Sequence, residues 1–331
     1  MKVREVGEQG LLQRLFRFCA AHRVGDDGAV LDLTPGYRMV VTTDVLVDGV
    51  HFSDLTTPPH AVGWRAVAAN LSDLAAMGAC PLGIAVGLSL TADTEVEWVE
   101  SLYEGMNDGL KPHETAIIGG DVVRSPVISL SITALGQVKP DRLCQRHTGK
   151  PGDLIVVTGV HGASRAGLEC LLNPQWSMTL SPGDRQKFIK AHQYPKPRLD
   201  VLPKLWNLKP QRIAGMDSSD GLADALDQIC RASGVGARID LSQIPTAQGL
   251  SSVLSEAKIR HWTFYGGEDF ELVLCLPPEV AHPFVETLEG EAAIIGELIG
   301  GDRIELIDRH DRQNPNLTLD RSWGFQHFPL S

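Results

Sequence analysis

Short acidic segments recur along the chain, nearly all beside glycine or hydroxyl residues, and most follow an apolar, strand-like run. Carboxylates that are distant in sequence but converge at one edge of a sheet hold hard cations such as Mg²⁺ through oxygen ligands. The joint pattern therefore indicates metal-assisted phosphate chemistry. The segments are Gly25-Asp26-Asp27, Thr42-Thr43-Asp44, Ser72-Asp73, Gly119-Gly120-Asp121, Asp217-Ser218-Ser219-Asp220-Gly221 and Gly266-Gly267-Glu268-Asp269.

Each acidic residue also has a structural interpretation, because a lone aspartate is a common turn former. Ser219 precedes an apolar periodic run and is a candidate helix N-cap, with Asp220 in the first turn complementing the helix dipole. Asp217 lies upstream of that helix and is the stronger ligand candidate. Between Asp26 and Asp27 the sequence does not choose, since adjacent strand residues face opposite ways.

The remaining chemistry-bearing positions carry the same two interpretations. Gly119-Gly120 lets the backbone approach a bound group, with Asp121 and Arg124 as a metal ligand and a cation, and a tight hairpin is the rival. Arg146 is either a phosphate clamp or a solvated arginine. Tyr103 lies on an apolar helical stripe, so core packing is the default and stacking on a nucleotide base is the alternative.

The elements that must position these residues follow from periodicity. The N-terminal half is predicted to contain a strand, two helices and a second strand with one buried face, arranged as a sheet covered by helices. A new strand-turn-helix unit begins after residue 148. We therefore divide the chain into domains 1–148 and 149–331. The segments are 38–43 (strand), 62–77 and 94–110 (helices) and 128–133 (strand).

The second half alternates helices, strands and turns. Segment 173–198 carries four prolines, is predicted to be irregular and is a candidate to cover or gate a site. A helix is predicted at 219–232, and a strand at 270–276 whose alternate residues from Phe270 onward point inward.

Composition narrows the class of protein. The 331 residues carry 41 acidic and 30 basic side chains, a formal charge of −11, which disfavours nucleic acid and anionic membranes as partners. The six cysteines form no CxxC pair, and neither a signal peptide nor a membrane-spanning run is evident, so a cytoplasmic protein is expected. Since the chain also has no GxxxxGK[ST] loop and no protein-kinase pattern, any ATP site uses another architecture.

Taken in order, the acidic segments resemble the bacterial thiamine-monophosphate kinase family, within the superfamily of aminoimidazole ribonucleotide synthetase. The match covers nearly the whole chain, from Gly25 to Phe328. The segments that carry the resemblance are Gly25-Asp26-Asp27-Gly28-Ala29-Val30, Thr42-Thr43-Asp44, Asn70-Leu71-Ser72-Asp73-Leu74-Ala75-Ala76-Met77-Gly78, Gly119-Gly120-Asp121, Lys150-Pro151-Gly152-Asp153, Ser219-Asp220-Gly221-Leu222 and Gly266-Gly267-Glu268-Asp269-Phe270-Glu271-Leu272.

The resemblance implies an α/β N-terminal domain whose mixed sheet pairs in a dimeric β-barrel, and a C-terminal α+β sandwich. It implies Mg²⁺ as cofactor, ATP as co-substrate, thiamine monophosphate as acceptor and a homodimer. The implied Mg²⁺ ligands are Asp27, Thr42, Thr43, Asp44, Asp73, Asp121, Asp217 and Asp220. Tyr103, Gly120, Asp121, Arg146 and Ser219 would contact ATP, and His51, Glu268 and Trp323 would face thiamine phosphate.

The implied reaction is in-line transfer of the γ-phosphoryl group, with Asp73 and Asp121 as the catalytic residues. Three departures from the family pattern, Gly28, Val122-Val123 and Ser218, remove no carboxylate. Two alternatives stay open: another ATP-using enzyme of the same superfamily, and a non-catalytic dimer that senses ATP and Mg²⁺.

Overall fold

The computed structural model describes residues 1–21, 23–24, 27–288, 290, 292–308 and 316–319. The chain divides into two compact units, which we call unit 1 (Met1–Leu74 and Ala79–Pro140) and unit 2 (Ala75–Gly78 and Asp141–Ser331). The domain boundary predicted between 148 and 149 lies a few residues beyond the division between the units and stays a prediction.

Unit 1 contains a mixed sheet and three longer helices. The strands are β1 (Arg38–Val47), β2 (Cys80–Leu90), β3 (Ile117–Arg124) and β4 (Ser129–Val138), and the helices are α1 (Val3–Leu15), α2 (Pro59–Ala76) and α3 (Val96–Leu110). The strand order is β1-β4-β2-β3, with only β2 and β3 parallel. Both predicted helices and the strand at 128–133 are confirmed.

The start of β1 is also confirmed, but β1 runs on to Val47. Asp44 therefore lies within a strand, as Asp121 does in β3, and not where a strand ends. β1 pairs with β4 along its whole length. Because these hydrogen bonds do not depend on the side chains, the strand continues beyond its apolar run.

Two glycines allow α2 and α3 to cross closely. A Cβ added at Gly63 would lie 1.9 Å from the carbonyl oxygen of Leu102, and one at Gly105 would lie 1.8 Å from that of His60. Any larger side chain would push the two helices apart, so these glycines permit the close packing of α2 against α3. In the part of the chain that the structure describes, no helix is long and apolar enough to cross a membrane.

Unit 2 is an α+β layer structure, in agreement with the predicted fold class. Its strands are β5 (Leu154–Val157), β6 (Ala214–Asp217), β7 (Gly236–Asp240), β8 (Leu272–Leu276), β9 (Ala293–Ile299), β10 (Ile304–Ile307) and β11 (Asn316–Thr318), in the sheet order β11-β10-β7-β9-β5-β8-β6. Its helices are α4 (Ala163–Leu172), α5 (Pro174–Ser177), α6 (Pro182–Gln193), α7 (Leu202–Asn207), α8 (Leu222–Ser233), α9 (Glu256–Tyr265) and α10 (Pro278–Thr287).

The sheet of unit 2 is covered on both faces. In β8, Leu272 and Leu274 belong to one core cluster, whereas Val273 and Cys275 belong to the other. The prediction that only alternate residues of this strand point inward was therefore wrong. A strand at the centre of a sandwich buries both faces and reads as a continuous apolar run.

Segment 173–198 is largely helical, which corrects the prediction of an irregular segment. Its prolines were read as breakers, yet Pro174 and Pro182 stand in the first turns of α5 and α6, where the missing N–H costs nothing. The side chain of Ser181 caps α6 by accepting from the backbone of Asp184. Phe188 is fully buried against α4, so α6 is part of the core of unit 2.

Candidate active-site residues

In unit 1, β1 and α2 bring predicted metal ligands together. Thr42 and Asp44 are two residues apart on β1 and share one face of the strand. The Thr42 hydroxyl donates to the Asp73 carboxylate on α2, and the Asp44 backbone N–H donates to Asn70 Oδ1 over 3.3 Å. Asn70 is fully buried and also donates to the Ala66 carbonyl within α2. The buried amide therefore fixes the register between helix and strand that places Asp73 beside Thr42.

Thr43 points to the opposite face of the same strand. Its hydroxyl lies 3.0 Å from that of Thr133, its cross-strand partner on β4. The Thr43 side chain is thus separated from those of Thr42 and Asp44 by the sheet itself. Its role as a metal ligand stays a prediction that the side-chain direction does not favour.

Asp121 lies on the far edge strand of the sheet. It pairs with Gly87 on β2, whereas Asp44 is on β1 at the other edge. Three strand spacings of about 4.8 Å put these strands roughly 14 Å apart. Asp121 is exposed, and its Oδ1 accepts from the backbone N–H of Val122 over 2.9 Å. It therefore occupies a position of its own and does not join the Asp44 and Asp73 pair.

The separation of Asp121 from Asp44 and Asp73 affects how these residues could hold Mg²⁺. Among the described residues, no three His, Cys, Asp or Glu side chains form a group that could hold a metal ion. Mg²⁺, however, is usually bound by one or two carboxylates together with water and substrate phosphates, and not by an all-protein cage. The carboxylates of Asp73 and Asp44 beside the Thr42 hydroxyl supply hard oxygen donors of that kind. The residues therefore fit ions that phosphate groups help to hold.

Asp27 and His51 lie in the connections that flank β1. Asp27 is exposed, while Asp26 falls outside the described residues, so the choice between them stays open. The backbone N–H of Val47 donates to His51 Nδ1 over 3.0 Å. In a neutral ring the proton is then on Nε2, which makes that atom a hydrogen-bond donor.

Tyr103 and Gly120 were predicted to contact ATP. Tyr103 on α3 is 4% exposed and its ring centroid lies 5.8 Å from that of Phe18, so burial raises its pKa and the ring packs in the core. This burial favours core packing over stacking on a nucleotide base. At Gly120 an added Cβ would lie 2.2 Å from the Val86 carbonyl oxygen, so this position excludes a side chain.

In unit 2, Asp217 is the last residue of β6 and is 2% exposed. The Ser219 hydroxyl donates to Asp217 Oδ1 over 3.2 Å. The helix predicted to begin at Ser219 begins instead at Leu222, with Gly221 as N-cap at φ 109°. The predicted Ser219 cap was therefore wrong, because a glycine conformation that other residues avoid separates the serine from the helix. Exposed Asp220 precedes that cap, outside the first turn of α8.

The segment around Ser219 contacts the loop that carries Glu268. The Glu268 backbone N–H donates to the Ser219 carbonyl over 2.7 Å. Glu268 and Phe270 have φ of 59° and 53°, a region that residues other than glycine rarely adopt. Backbone strain of this kind is characteristic of functional sites. The predicted nucleotide contact Ser219 and the predicted substrate contact Glu268 are thus neighbours.

Asp269 belongs to an acidic segment of the sequence but had no predicted role. Its carboxylate accepts from the backbone N–H groups of Gly162 and Ser164, over 2.7 and 2.8 Å, at the start of α4. Burial raises its pKa to about 7, and these two hydrogen bonds oppose the shift only in part. Asp269 therefore caps a helix from a distant loop and anchors the strained segment beside Glu268.

Glu271 is a second residue that sequence reasoning missed. Its carboxylate accepts from Arg198 Nη1 and from the Thr158 hydroxyl, each over 2.5 Å. Burial raises its pKa despite the arginine. The carboxylate also excludes a side chain at Gly159, where a Cβ would lie 2.4 Å from Glu271 Oε1. The sequence signal for the Glu271–Arg198 pair is a glutamate directly before a continuous apolar strand. A charge buried at such a position needs a partner of opposite charge.

Arg146 lies over α8, where its Nη1 donates to Gln228 Oε1 over 2.7 Å. Gln228 in turn donates to Asp224, in the first turn of the helix. The arginine side chain is therefore directed along α8. Trp323, the remaining predicted substrate contact, lies outside the described residues.

Comparison with known proteins identifies the family. Residues 25–138 match the N-terminal domain model of AIR synthase related proteins, and residues 150–309 match the C-terminal one. A thiamine-monophosphate kinase of Synechococcus elongatus is 49% identical over 98% of this chain and 97% of its own length. The chain belongs to the thiamine-monophosphate kinase family. It is accordingly an enzyme of the kinase class, as the sequence predicted.

Solved structures of the family agree with this fold. The thiamine-monophosphate kinase of Stenotrophomonas maltophilia K279a is 30% identical with a TM-score of 0.76, covering 90% of this chain and 94% of its own. A structure described as AaThiL complexed with AMPPCP and TMP is 30% identical with a TM-score of 0.73, covering 92% and 95%. Because these structures cover 90% and 92% of the chain, the family resemblance extends to both units.

Proposed function

We propose that this chain transfers the γ-phosphoryl group of ATP to the phosphate of thiamine monophosphate, yielding thiamine diphosphate and ADP. The observation that carries the proposal is the family member complexed with AMPPCP and TMP, to which this chain is similar over 92% of its length. AMPPCP is an ATP analogue, so that relative accommodates a nucleotide and TMP together. Simultaneous occupancy suits direct transfer between them.

An acceptor phosphate is already ionised at neutral pH, so the reaction needs no general base. The obstacle is repulsion between two anions, and bound Mg²⁺ ions would screen it and align the phosphates. Asp73, Asp44 and the Thr42 hydroxyl offer oxygen donors on one face of the unit 1 sheet. Asp121 offers a carboxylate at the other edge, and the strand registers place it on the opposite face, with Val45. We assign Asp73 and Asp121 to the reacting phosphates.

The remaining roles divide between nucleotide and acceptor. We assign Arg146, Ser219, Gly120 and Tyr103 to ATP. The metal set is completed by Asp27, Thr43, Asp217 and Asp220. His51, Glu268 and Trp323 are assigned to thiamine phosphate. The hydrogen bond from the Glu268 N–H to the Ser219 carbonyl supports a nucleotide side and an acceptor side that adjoin in unit 2.

We further propose a homodimer formed through the open face of the unit 1 sheet. That face, opposite Thr42 and Asp44, presents apolar side chains with large exposed fractions: Met39 44%, Val41 56%, Val45 50% and Val123 48%. Exposed apolar side chains grouped on one face are a feature of protein interfaces. A second copy would cover it, and the pairing of two such sheets would form the predicted barrel. A cytoplasmic location stays a prediction from the cysteine pattern.

The reaction is tested with purified protein, ATP, MgCl₂ and thiamine monophosphate, and thiamine diphosphate is quantified by chromatography. We expect thiamine diphosphate and ADP in equal amounts, and no product after chelation of the metal. ADP without thiamine diphosphate would instead support another ATP-using enzyme of the superfamily. Binding of MgATP without any turnover would support the sensing dimer.

A further inference from the structure

A buried polar pair lies beneath the predicted nucleotide contacts of unit 2. His161 is 1% exposed and Ser218 is fully buried, and His161 Nε2 lies 3.0 Å from Ser218 Oγ. Neither residue belongs to the set assigned above. Burying two polar side chains side by side is costly unless they satisfy each other.

The hydrogen positions follow from the acceptors that are available. The Ser218 hydroxyl donates its single proton to the Glu271 carbonyl over 3.1 Å. With that proton on the carbonyl, the hydroxyl oxygen accepts from His161, and this arrangement places the ring proton on Nε2. Burial lowers the pKa of His161 to about 4, so the ring is neutral near pH 7. The Gly159 backbone partly opposes this lowering of the pKa. Among the described residues, no side chain bonds His161 Nδ1, so Ser218 is the side chain that orients the ring.

The pair joins three segments that sequence separates widely. His161 follows β5, Ser218 follows β6 and Glu271 precedes β8. The backbone N–H of Ser218 also donates to the Glu271 carbonyl, over 2.8 Å. Ser218 lies between Asp217 and Ser219 in the chain, so a shift of Ser218 would also move both neighbours.

We propose that His161 is a positioning residue that, through Ser218, sets the placement of Asp217 and Ser219 on the nucleotide side of the site. The inference rests on the proposed function, which assigns those two residues to metal and ATP. Misplacing a reacting group by about 1 Å can cost on the order of 100-fold in rate. Loss of the His161 donor should therefore reduce activity even in a folded protein.

The test compares His161→Leu, which removes the donor, with His161→Gln, whose amide can place an N–H near the position of Nε2. Ser218→Ala breaks the same link from the other side. Thr263→Val is the matched control, because this buried hydroxyl bonds the Ile259 carbonyl of its own helix and Thr263 is not in the assigned set. For each variant we would measure kcat, the KM values for MgATP and thiamine monophosphate, the affinity for MgAMPPCP by calorimetry, and urea unfolding.

We expect His161→Leu and Ser218→Ala to lower kcat/KM for MgATP by about 10- to 100-fold. Affinity for MgAMPPCP should fall in the same order, and the KM for thiamine monophosphate should change less. Both substitutions break the hydrogen bond between His161 and Ser218, and Ser218→Ala also removes the one to the Glu271 carbonyl. The double variant should therefore be no worse than Ser218→Ala alone. The kcat/KM of His161→Gln should stay within about threefold of wild type, which is less than a tenfold change in rate. Thr263→Val should lose stability but keep its kinetics.

Wild-type kinetics and MgAMPPCP affinity in folded His161→Leu would overturn the inference. So would equal impairment of His161→Gln, or an equal kinetic loss in Thr263→Val. If the wild-type protein forms no thiamine diphosphate, the proposed reaction is wrong. The calorimetric comparison then still decides whether His161 organises the nucleotide side.

Discussion

Replacing Asp73 with asparagine separates the charge of this side chain from its hydrogen bond. Asp73 lies on α2 and accepts from the Thr42 hydroxyl on β1, in the cluster that we assign to metal and phosphate. Asparagine has nearly the same shape, and its Oδ1 can still accept from Thr42. The variant therefore removes a negative charge while keeping the contact between helix and strand.

The two effects differ in size. A hydrogen bond to a charged acceptor contributes about 1 kcal/mol more than one to a neutral acceptor, so the free energy of unfolding should fall by about 1 kcal/mol or less. Removing one group that stabilises transition-state charge typically costs about 10²- to 10³-fold in kcat, or about 2.7–4 kcal/mol. Activity should thus collapse in a protein that remains folded.

Turnover is measured as thiamine diphosphate formed at saturating ATP and thiamine monophosphate across a range of Mg²⁺ concentrations, and stability by urea unfolding. Asp108→Asn is the control, since this carboxylate on α3 also has a hydrogen-bond partner, His60 at 3.1 Å, but is exposed and is not in the assigned set. Activity of Asp73→Asn within about threefold of wild type would refute the reasoning, because that is less than a tenfold step of 1.4 kcal/mol. An equal loss in Asp108→Asn would refute it as well.

Three further predictions concern the two units. Val41→Lys, on the open apolar face of β1, should convert the proposed dimer to monomer in sedimentation velocity, and an unchanged dimer would show that this face is not the interface. Asp269 binds more protons folded than unfolded because its pKa is raised from 3.8 to about 7, so its contribution to stability is present below pH 4 and is lost as the pH rises to 7. Asp269→Asn should remove that part of the pH dependence of the unfolding free energy, measured by urea titrations at several pH values. If this pH dependence is unaltered in the variant, it comes from other groups. Gly105→Ala should cost about 1–3 kcal/mol by forcing α3 away from α2, whereas Gly183→Ala, whose nearest neighbour is 3.9 Å away, should be neutral or slightly stabilising in thermal melts.

Much of the local structure was predictable because it depends on short-range patterns. Helices α2 and α3 and strand β4 lie within a few residues of their predicted bounds, since their apolar periodicity is clear, whereas α1 was not predicted. The errors also have local causes. Pro174 and Pro182 were read as breakers although proline is favoured in the first turn of a helix, and Gly221, not Ser219, caps α8.

The candidate site also has features that the sequence predicts and contacts that only the structure reveals. The acidic segments and the glycines beside them were visible as residue types at recurring positions, and strand alternation alone places Thr42 and Asp44 on one face. What alternation does not reveal is the partner across the fold. Asp269 at the start of α4 and Glu271 with Arg198 are pairs that only long-range packing creates.

By itself, then, the sequence determined the family, the positions of the acidic segments and the helices with clear apolar periodicity, because these depend on residue identity and spacing along the chain. The tertiary structure decided which of those residues meet. It brings Thr42 to Asp73, leaves Asp121 on the opposite edge strand, and buries His161 against Ser218. Such contacts follow from the register of packed helices and strands, and a one-residue shift in that register would turn every side chain of a strand to the other face.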